Sequence, residues 1–374
     1  MRELSWEELA AYRARVRGCL LGGAVGDALG FPVEGLSLGT IRARYGPTGV
    51  TGPVQDRTGR TGLISDDTQM TLFTAEGWLN GYRRIRAKGI SGAEVELVKD
   101  AYLRWLDTQD FDGPPPHDGT RHRGGPLREE PWLYARRAPG LACLSGLREG
   151  WAPDPRSVID GTPGPVNPGS KGCGTVMRSA PFGFTGGEPR ASFELAARCA
   201  QITHGHPTGY YAAGAFAAMV SHLVGGEPLG EAVRLAMELL ADYPGHEETS
   251  AALHRAVDLA ATGGPATPGT VESLGAGWVA EEALAIAVYC ALARTEYWNH
   301  RTPIESALLL AVNHSGDSDS TGSICGNLLG ARHGDGLLPP HWLALVEGRA
   351  VIAALADDFA AAVHPGERRP WEYD

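Results

Sequence analysis

The chain has 374 residues, of which 43% are hydrophobic, so it can bury one large core or two average ones. Its formal net charge of −11 argues against binding to a nucleic-acid backbone, because neutralising the phosphates requires a cationic face. The six cysteines are scattered without a C-x-x-C pair, and the first residues lack a signal-peptide pattern, so we expect a reduced cytoplasmic protein.

The first predicted element is a long helix. It begins at a capping-box pattern, Ser5 to Glu8, and carries apolar residues at helical spacing. Its second half contains three glycines four residues apart, at positions 22, 26 and 30, which leave a bare stripe where a second backbone or a ligand can approach closely. Asp27 lies in this stripe and Glu34 follows it. Tight packing between helices alone would also explain the glycines.

Two aspartates precede the next apolar helical segment. Asp66 and Asp67 follow Ser65, so two carboxylates and a hydroxyl stand together at the predicted start of a helix. Hard oxygen ligands of this kind suit Mg²⁺ or its substitute Mn²⁺. Taken alone, the cluster could be nothing more than a helix N-cap.

Three long irregular segments, near residues 106–135, 152–174 and 262–277, are predicted to lie between helices. The first is rich in proline, glycine and charge, which indicates a surface loop that could face the substrate. The second ends in a glycine-rich segment, where backbone N–H groups could bind a diphosphate. Its residues are Gly169, Ser170, Lys171, Gly172, Cys173, Gly174 and Thr175. Lys171 either adds positive charge there or is an ordinary loop lysine, and Arg178 is favoured as half of a buried ion pair.

Helical periodicity dominates the rest of the chain. Alanine- and leucine-rich stretches at this spacing cover residues 191–201, 210–224, 230–240, 249–261, 280–294 and 342–362, and no alternation of period two is long enough for a sheet. A second acidic cluster, Asp317, Asp319 and Ser320, precedes another apolar run. We therefore predict an all-α protein, with residues 1–374 in one compact domain. The two clusters together are expected to hold a pair of metal ions about 3.5–4 Å apart.

Six segments of the chain carry a recognisable pattern when they are taken in order. They are residues 17–30 with Glu34, 65–70, 169–178, 203–204, 278–284 and 316–322. In these segments the chain resembles the ADP-ribosylglycohydrolase family. The resemblance implies an all-α fold around a central cleft with two Mg²⁺ ions, which removes ADP-ribose from an acceptor. The implied metal ligands are Ser65, Asp66, Asp67, Asp317, Asp319 and Ser320. Both serines stand where threonine is frequent in the family, and both keep the hydroxyl oxygen.

The resemblance also implies roles for single residues. Glu34 corresponds to a mobile carboxylate that moves protons at the scissile bond, with an ordinary surface ion pair as the alternative. Asp67 or Asp317 could be the general base while also binding metal, and the sequence does not choose between them. His204 belongs to a Thr-His pair near the terminal ribose or phosphate, unless it is only a hydrogen-bonded core residue. Asp27 could orient a neighbouring group. Either Trp278 or Tyr210 could stack on the adenine ring, and the sequence does not decide between them.

The implied reaction builds positive charge on a ribose ring, as glycoside hydrolysis does, where two carboxyl groups divide the acid and base work. A bound metal ion lowers the pKa of the attacking water and fixes its position. We therefore expect a metal-dependent hydrolase from a bacterium that releases free ADP-ribose, with arginine-linked ADP-ribose on a protein as the favoured substrate and no membrane partner. Serine-linked ADP-ribose, O-acetyl-ADP-ribose, ADP-ribose-1''-phosphate and ADP-ribosylated nucleobases stay open as alternatives.

Two rival functions are disfavoured. The order Asp317-x-Asp319-x-Thr321 is typical of haloacid-dehalogenase-like phosphatases, but these need a downstream lysine, and no lysine follows Lys171. A relative that binds ADP-ribose without catalysis would have lost metal ligands, whereas this chain keeps every carboxylate in both clusters.

Overall fold

The computed structural model describes residues 4–56, 58–116, 119, 122, 124–185, 188–294, 296–298 and 301–365. Over these residues the chain is helical, and it forms no β-strand beyond two isolated bridges. The prediction of an all-α fold is therefore confirmed. Within the described part, no single helix is long and apolar enough to cross a bilayer. The helical segments Trp6–Val33 and Leu38–Tyr45 reach that length and apolarity only when taken together, and they are bent by 91° relative to each other.

The α-helices follow the predicted order, with short 3₁₀ turns between some of them. They are α1 Trp6–Gly30, α2 Leu38–Tyr45, α3 Asp66–Lys88, α4 Glu94–Asp110, α5 Leu141–Glu149, α6 Pro189–Ala200, α7 Pro207–Gly225, α8 Leu229–Leu240, α9 Glu247–Ala261, α10 Pro268–Glu272, α11 Ala280–Leu292, α12 Pro303–Val312, α13 Ser318–His333, α14 Pro340–Leu343 and α15 Arg349–Val363. Their apolar faces contribute to one continuous cluster of buried side chains.

Two predictions of local structure are wrong. The stretch 342–362 is not one helix, because the chain leaves the helical path between α14 and α15 at Gly348, whose φ is 67°. A side chain at Gly348 would also collide with the indole of Trp132. The segment 262–277 is not wholly irregular, since α10 lies inside it and is capped by Thr267. The capping box at Ser5 is confirmed.

The glycine stripe of α1 packs against a matching stripe of α13. A Cβ built on Gly22 would lie 2.3 Å from the carbonyl oxygen of Gly326, and one on Gly26 would lie 1.9 Å from that of Gly322. Neither distance leaves room for a methyl group, so the two backbones touch directly. The stripe therefore serves helix packing. At its end, the C-terminus of α1 lies beside the first turn of α13, where the second acidic cluster begins.

Asp27 ties α3 to the same place. Its carboxylate accepts hydrogen bonds from the backbone N–H of Ser65 at 3.0 Å and of Thr68 at 3.1 Å, and from the Thr68 hydroxyl. Asp27 thus satisfies N–H groups that the first turn of α3 leaves without helical partners. The expectation that Asp27 orients a neighbouring group agrees with these contacts. As a result, both acidic clusters lie at helix N-termini that meet near the end of α1.

The loop after α4 is anchored across α3. Glu76 forms a buried ion pair with Arg104 and accepts the Leu127 backbone N–H at 3.1 Å. Gln69 donates to the carbonyl of Ala135 at 2.9 Å. Of the predicted substrate-facing loop 106–135, residues 117, 118, 120, 121 and 123 lie outside the described residues, and its first residues belong to α4.

Candidate active site

A cleft of about 220 Å³ opens where the first turns of α3 and α13 meet. One wall is acidic, and the glycine-rich segment forms a second wall together with residues 138 and 140–143. A larger groove of about 620 Å³ lies among α8, α9 and the end of α11. Mainly apolar residues line it, and its charged side chains Arg234 and Glu238 pair with each other. The smaller cleft is therefore the better candidate for chemistry, because it collects the acidic groups.

The acidic wall brings both predicted clusters together. Five of its carboxyl groups are almost completely buried, and that of Glu34 is half-buried. The charged groups that shift the pKa values of these carboxyls are the other carboxyls of the same set, and no described arginine, lysine or histidine is among them. The buried members are Asp27, Asp66, Asp67, Asp317 and Asp319.

Burial and mutual repulsion keep these groups from ionising easily. Burial, and then the charge of Asp319, raises the pKa of Asp27 to about 7 and that of Glu34 to about 8. The same two causes raise the pKa of Asp66, Asp67 and Asp317 well above the ordinary range, and burial raises that of Asp319. Concentrated negative charge without a counter-ion is unfavourable, and a bound cation would relieve it.

Both clusters also cap their helices. The Ser65 hydroxyl accepts the Asp67 backbone N–H at 3.3 Å, and Asp317 Oδ1 accepts the Ser320 backbone N–H at 3.2 Å. The capping interpretation of each cluster is therefore correct, and it is compatible with convergence at one cleft. The N-terminal ends of α3 and α13 also direct partial positive charge towards the carboxylates.

The oxygen donors of the acidic wall are of the type that suits a hard divalent cation. Asp67 Oδ1 is buried without a hydrogen-bond partner, and the Ser65 hydroxyl donates to Asp67 Oδ2 at 3.3 Å. The Ser320 hydroxyl contacts the sulfur of Met177 at 3.9 Å, so its oxygen has only a weak partner there. Among the described residues, however, no group of three or more His, Cys, Asp or Glu side chains is already arranged to hold a metal ion. Binding would therefore require these carboxylates to rotate.

Glu34 stands at the mouth of the cleft, in the turn after α1. A hydrogen bond of 2.9 Å from the Gly35 N–H to the Gly316 carbonyl joins this turn to the second cluster. The alternative of a surface ion pair finds no partner among the described residues. Burial and the charges of Asp319 and Asp27 raise the pKa of the Glu34 carboxyl to about 8, so in the metal-free protein this carboxyl keeps its proton near neutral pH.

The glycine-rich segment is only partly exposed to the cleft. Ser170, Gly172, Cys173 and Gly174 line it, whereas Gly169, Lys171 and Thr175 do not. The Lys171 ammonium forms ion pairs with the carboxylates of Glu248 and Glu281, so it links the glycine-rich segment to α9 and α11. The Thr175 hydroxyl is buried and donates to the carbonyl of Gly209 at 2.8 Å.

The segment is held in place by the start of α11. The N–H of Cys173 donates to the Trp278 carbonyl at 3.1 Å, and that of Ala280 donates to the Lys171 carbonyl at 2.8 Å. The Cys173 thiol donates to Asp317 Oδ2 at 2.7 Å, which brings this wall into contact with the acidic one. A diphosphate site on this segment stays a prediction, and four of its seven residues line the cleft: Ser170, Gly172, Cys173 and Gly174.

Comparison with known proteins identifies the family. Residues 8–369 match the family model described as ADP-ribosylglycohydrolase. The chain belongs to the ADP-ribosylglycohydrolase family. This family member is 27% identical over 336 residues to the ADP-ribosyl-[dinitrogen reductase] glycohydrolase of Rhodospirillum rubrum, a match that covers 89% of this chain and 90% of the relative.

Two further matches extend over nearly the whole chain. An uncharacterized protein of Archaeoglobus fulgidus is 27% identical over 357 residues, covering 91% of this chain and 94% of its own. A solved chain described as an ADP-ribosylglycohydrolase-related protein complex superposes with a TM-score of 0.61 and 25% identity, covering 95% of this chain and 99% of that one. Family and fold are thereby confirmed for this ADP-ribosylglycohydrolase family member.

Two basic residues of this family member lie behind the glycine-rich wall. His204 lines the cleft, and its Nδ1 is 2.7 Å from the Thr203 hydroxyl. Arg178 is fully buried, but the expected ion pair is not found among the described residues. Its guanidinium instead contacts Thr203 Oγ1 at 2.6 Å and lies over the ring of Tyr102. Arg178 is therefore a buried charge without a carboxylate partner in the described chain.

The two candidate aromatic residues are separated by the fold. Trp278 lines the cleft and is 47% exposed. Tyr210 is buried, and its hydroxyl donates to the Thr162 carbonyl at 3.1 Å. Only Trp278 therefore stands where a ligand ring could reach it.

Residues 138–143 are a part of the cleft that the sequence did not reveal. Ala138 has a φ of 50°, which is uncommon for a residue other than glycine, and the side chain of Leu141 is 82% exposed at the rim. The Gly140 N–H donates to Asp66 Oδ2 at 3.2 Å, which fixes this segment against the acidic wall. The Pro139-Gly140 pair signals a turn, but nothing local indicates what the turn covers.

Proposed function

We propose that this chain hydrolyses the bond between the anomeric carbon of ADP-ribose and its acceptor, with two divalent cations, Mg²⁺ or Mn²⁺, bound at the acidic wall. One observation carries the proposal: carboxyl groups from the starts of α3 and α13 meet at one cleft without a described cationic partner. Membership of the ADP-ribosylglycohydrolase family supports the hydrolysis of ADP-ribose conjugates.

The proposed metal ligands come equally from the two helix starts. A carboxylate pair and a hydroxyl from each would supply oxygen atoms only, which is the ligand type that Mg²⁺ prefers. When bound, the cations would lower the pKa of an attacking water and bind ribose hydroxyls. The ligands would be Ser65, Asp66, Asp67, Asp317, Asp319 and Ser320.

Glu34 is proposed as the group that moves a proton at the scissile bond. It lies outside the proposed ligand set, at the mouth of the cleft, where it can approach the acceptor side of the sugar. In its protonated form it can give a proton to the leaving group, which would otherwise depart as a strong base. The proton of the attacking water then goes to a separate general base, which returns it to solvent, and solvent restores the proton on Glu34.

Asp67 is favoured over Asp317 as the general base. Both oxygens of Asp317 already accept hydrogen bonds, from the Ser320 N–H at 3.2 Å and from the Cys173 thiol at 2.7 Å. Asp67 Oδ1 is buried and has no partner. A proton on Asp67 Oδ1 would compete with no existing donor, whereas each Asp317 oxygen already has one, so Asp67 is the better acceptor.

The acceptor is proposed to be an arginine side chain of a modified protein. The printed name of the Rhodospirillum rubrum relative gives a protein as its substrate, which favours a protein conjugate over a small one. Serine-linked, O-acetyl, 1''-phosphate and nucleobase-linked ADP-ribose are the alternatives.

A substrate panel tests this proposal. Purified protein is incubated with arginine-, serine-, acetyl-, phosphate- and nucleobase-linked ADP-ribose, and free ADP-ribose is measured, with and without chelator. We expect release from the arginine conjugate that stops in EDTA and returns with Mg²⁺ or Mn²⁺. Full release in excess EDTA would refute the metal requirement, and release from another conjugate alone would refute the acceptor.

A further inference from the structure

Arg178, Thr203 and His204 form a buried hydrogen-bonded chain that ends at the cleft. Arg178 Nη2 donates to Thr203 Oγ1 at 2.6 Å, and Thr203 Oγ1 is 2.7 Å from His204 Nδ1. Arg178 and Thr203 are fully buried, and His204 is 2% exposed. The remaining polar contacts of the guanidinium are the sulfur atoms of Cys143 at 3.4 Å and Met70 at 3.8 Å.

The chemistry of these groups sets the direction of the chain. A guanidinium only donates hydrogen bonds, so the Thr203 oxygen must accept from Arg178. The hydroxyl then has one proton to give, and two acceptors are near it: His204 Nδ1 at 2.7 Å and the Ala200 carbonyl at 3.4 Å. The Thr203 oxygen could instead accept from a protonated Nδ1 while its hydroxyl donates to Ala200, but that second contact is long at 3.4 Å. The distance of 2.7 Å to Nδ1 also fits a hydroxyl donor better than an N–H donor, whose usual distance is about 2.9–3.0 Å. The geometry therefore favours donation from the hydroxyl to Nδ1, with the ring proton on Nε2.

The Nε2 atom faces the glycine-rich wall of the cleft. A Cβ built on Gly172 would lie 3.2 Å from it, and one built on Gly174 would lie 3.5 Å from it. Glycine at both positions therefore leaves this edge of the imidazole uncovered. No described residue hydrogen-bonds to Nε2, although His204 lines the cleft. A polar ring atom that no described residue pairs, at the edge of a cleft, is available to a ligand.

The imidazole at this place is neutral. Burial, and then the positive charge of Arg178, lowers the pKa of His204 to about 3. A neutral ring offers one donor and one acceptor, and Thr203 uses the acceptor.

We propose that Arg178 and Thr203 are positioning residues that lock His204 in the Nε2–H tautomer, so that it presents one neutral N–H donor to an oxygen atom of bound ADP-ribose. The identity of that ligand rests on the proposed function. The tautomer is a property of the free protein, and it can be measured without substrate.

The direct test is nitrogen NMR of protein labelled with ¹⁵N-histidine. Long-range ¹H–¹⁵N correlations distinguish a protonated ring nitrogen from an unprotonated one, and loss of one set of signals in His204→Asn assigns the residue. We expect a protonated Nε2 and an unprotonated Nδ1. A protonated Nδ1, or a mixture of both tautomers in the unaltered protein, would overturn the proposal even if no variant could be purified.

Matched variants test the two positioning residues. Thr203→Ser keeps the hydroxyl and is expected to keep the tautomer, whereas Thr203→Val has a similar volume without a hydroxyl and is expected to give a mixture. Arg178→Met removes the obligate donor, which frees the hydroxyl to rotate, so a mixture is expected again. If Arg178→Met kept the pure Nε2–H form, Arg178 would have no positioning role.

Kinetics link the tautomer to the reaction. Thr203→Val is expected to lower kcat/KM roughly three- to tenfold, mainly through KM, and Thr203→Ser is expected to stay within about twofold of the unaltered protein. Equal losses in both variants would mean that packing, not the hydroxyl, matters, which overturns the proposal. If the unaltered protein released no ADP-ribose from any conjugate, the proposed function would fail while the NMR result still decided the tautomer.

Discussion

Asp319 is the residue whose charge most affects the acidic wall, so its removal should separate stability from activity. It is the repulsive neighbour that follows burial as the main cause of the raised pKa of Asp27, Glu34, Asp66, Asp67 and Asp317. In Asp319→Asn the amide oxygen can still accept the Ser320 N–H, which Asp319 Oδ1 accepts at 3.1 Å. The substitution therefore removes charge with little change in shape.

The size of the effect follows from the pKa shifts. The pKa of Asp27 rises from 3.8 to about 7, and this corresponds to about 4 kcal/mol, of which burial is the larger part. If Asp319 contributes a minor share of this at each neighbour, Asp319→Asn should stabilise the metal-free protein by about 2 kcal/mol. For a chain of this length, that raises Tm by about 2–3 °C.

Thermal unfolding in EDTA measures the stability of the metal-free protein, and thermal unfolding in Mg²⁺ measures the stabilisation by the metal. The unaltered protein should gain about 2.7 kcal/mol, or about 3 °C, when Mg²⁺ is present at a hundred times its Kd. Asp319→Asn should be more stable than the unaltered protein in EDTA, gain nothing from Mg²⁺, and release no ADP-ribose. Asp258→Asn, an exposed substitution on α9, is the control and should keep the Mg²⁺ response. A less stable Asp319→Asn in EDTA, or one that still responds to Mg²⁺, would refute the reasoning.

Three further predictions concern pH, the proton donor and the helix contact. Folding raises the pKa of Asp27 to about 7 and that of Glu34 to about 8, so the folded protein binds more protons than the unfolded chain between about pH 4 and 8. The free energy of unfolding in EDTA, measured by denaturant titration, should therefore fall as pH rises through that window. A flat pH profile would contradict the repulsion among the carboxylates. Glu34→Gln should lower kcat at least about a hundredfold while calorimetry finds nearly unchanged ADP-ribose affinity; lost affinity with normal turnover would contradict the proton-transfer role. Gly26→Ala should lower the free energy of unfolding by about 3 kcal/mol or more in urea titrations, because the new Cβ would lie 1.9 Å from the Gly322 carbonyl oxygen. The control is Gly230→Ala on α8, where a Cβ meets nothing within 4 Å, and this variant should be neutral or slightly stabilising.

Local signals in the sequence are enough to predict the helical fold. The capping box at Ser5 acts within one turn, so neighbouring residues reveal it, and it is present in the structure. The same pattern of residues, Thr302 followed by Glu305 three positions later, begins α12. The break at Gly348 is different. It depends on the positive φ of that glycine and on the indole of Trp132, which comes from a distant part of the chain. Periodicity alone therefore extends the helix too far.

The site is less predictable because its partners come from separate segments. The residue types at 65–67 and 317–320 indicate metal chemistry, and the fold brings them to one cleft. The pairing of Lys171 with Glu248 and Glu281 cannot be read from spacing, since the carboxylates lie on α9 and α11. For the same reason the sequence favoured an ion pair for Arg178, whereas the described partner is the hydroxyl of Thr203.

The close contact of α1 with α13 has a consequence for biosynthesis. Three of the six proposed metal ligands, Asp317, Asp319 and Ser320, lie at the start of α13, and the glycine stripe on α1 has no surface to pack against until that helix exists. A nascent chain leaves the ribosome from its N-terminus, so the glycine stripe of α1 stays without its packing partner during most of translation. The cleft where the two acidic clusters meet can therefore be completed only after α13, which ends at His333 of the 374-residue chain, has emerged.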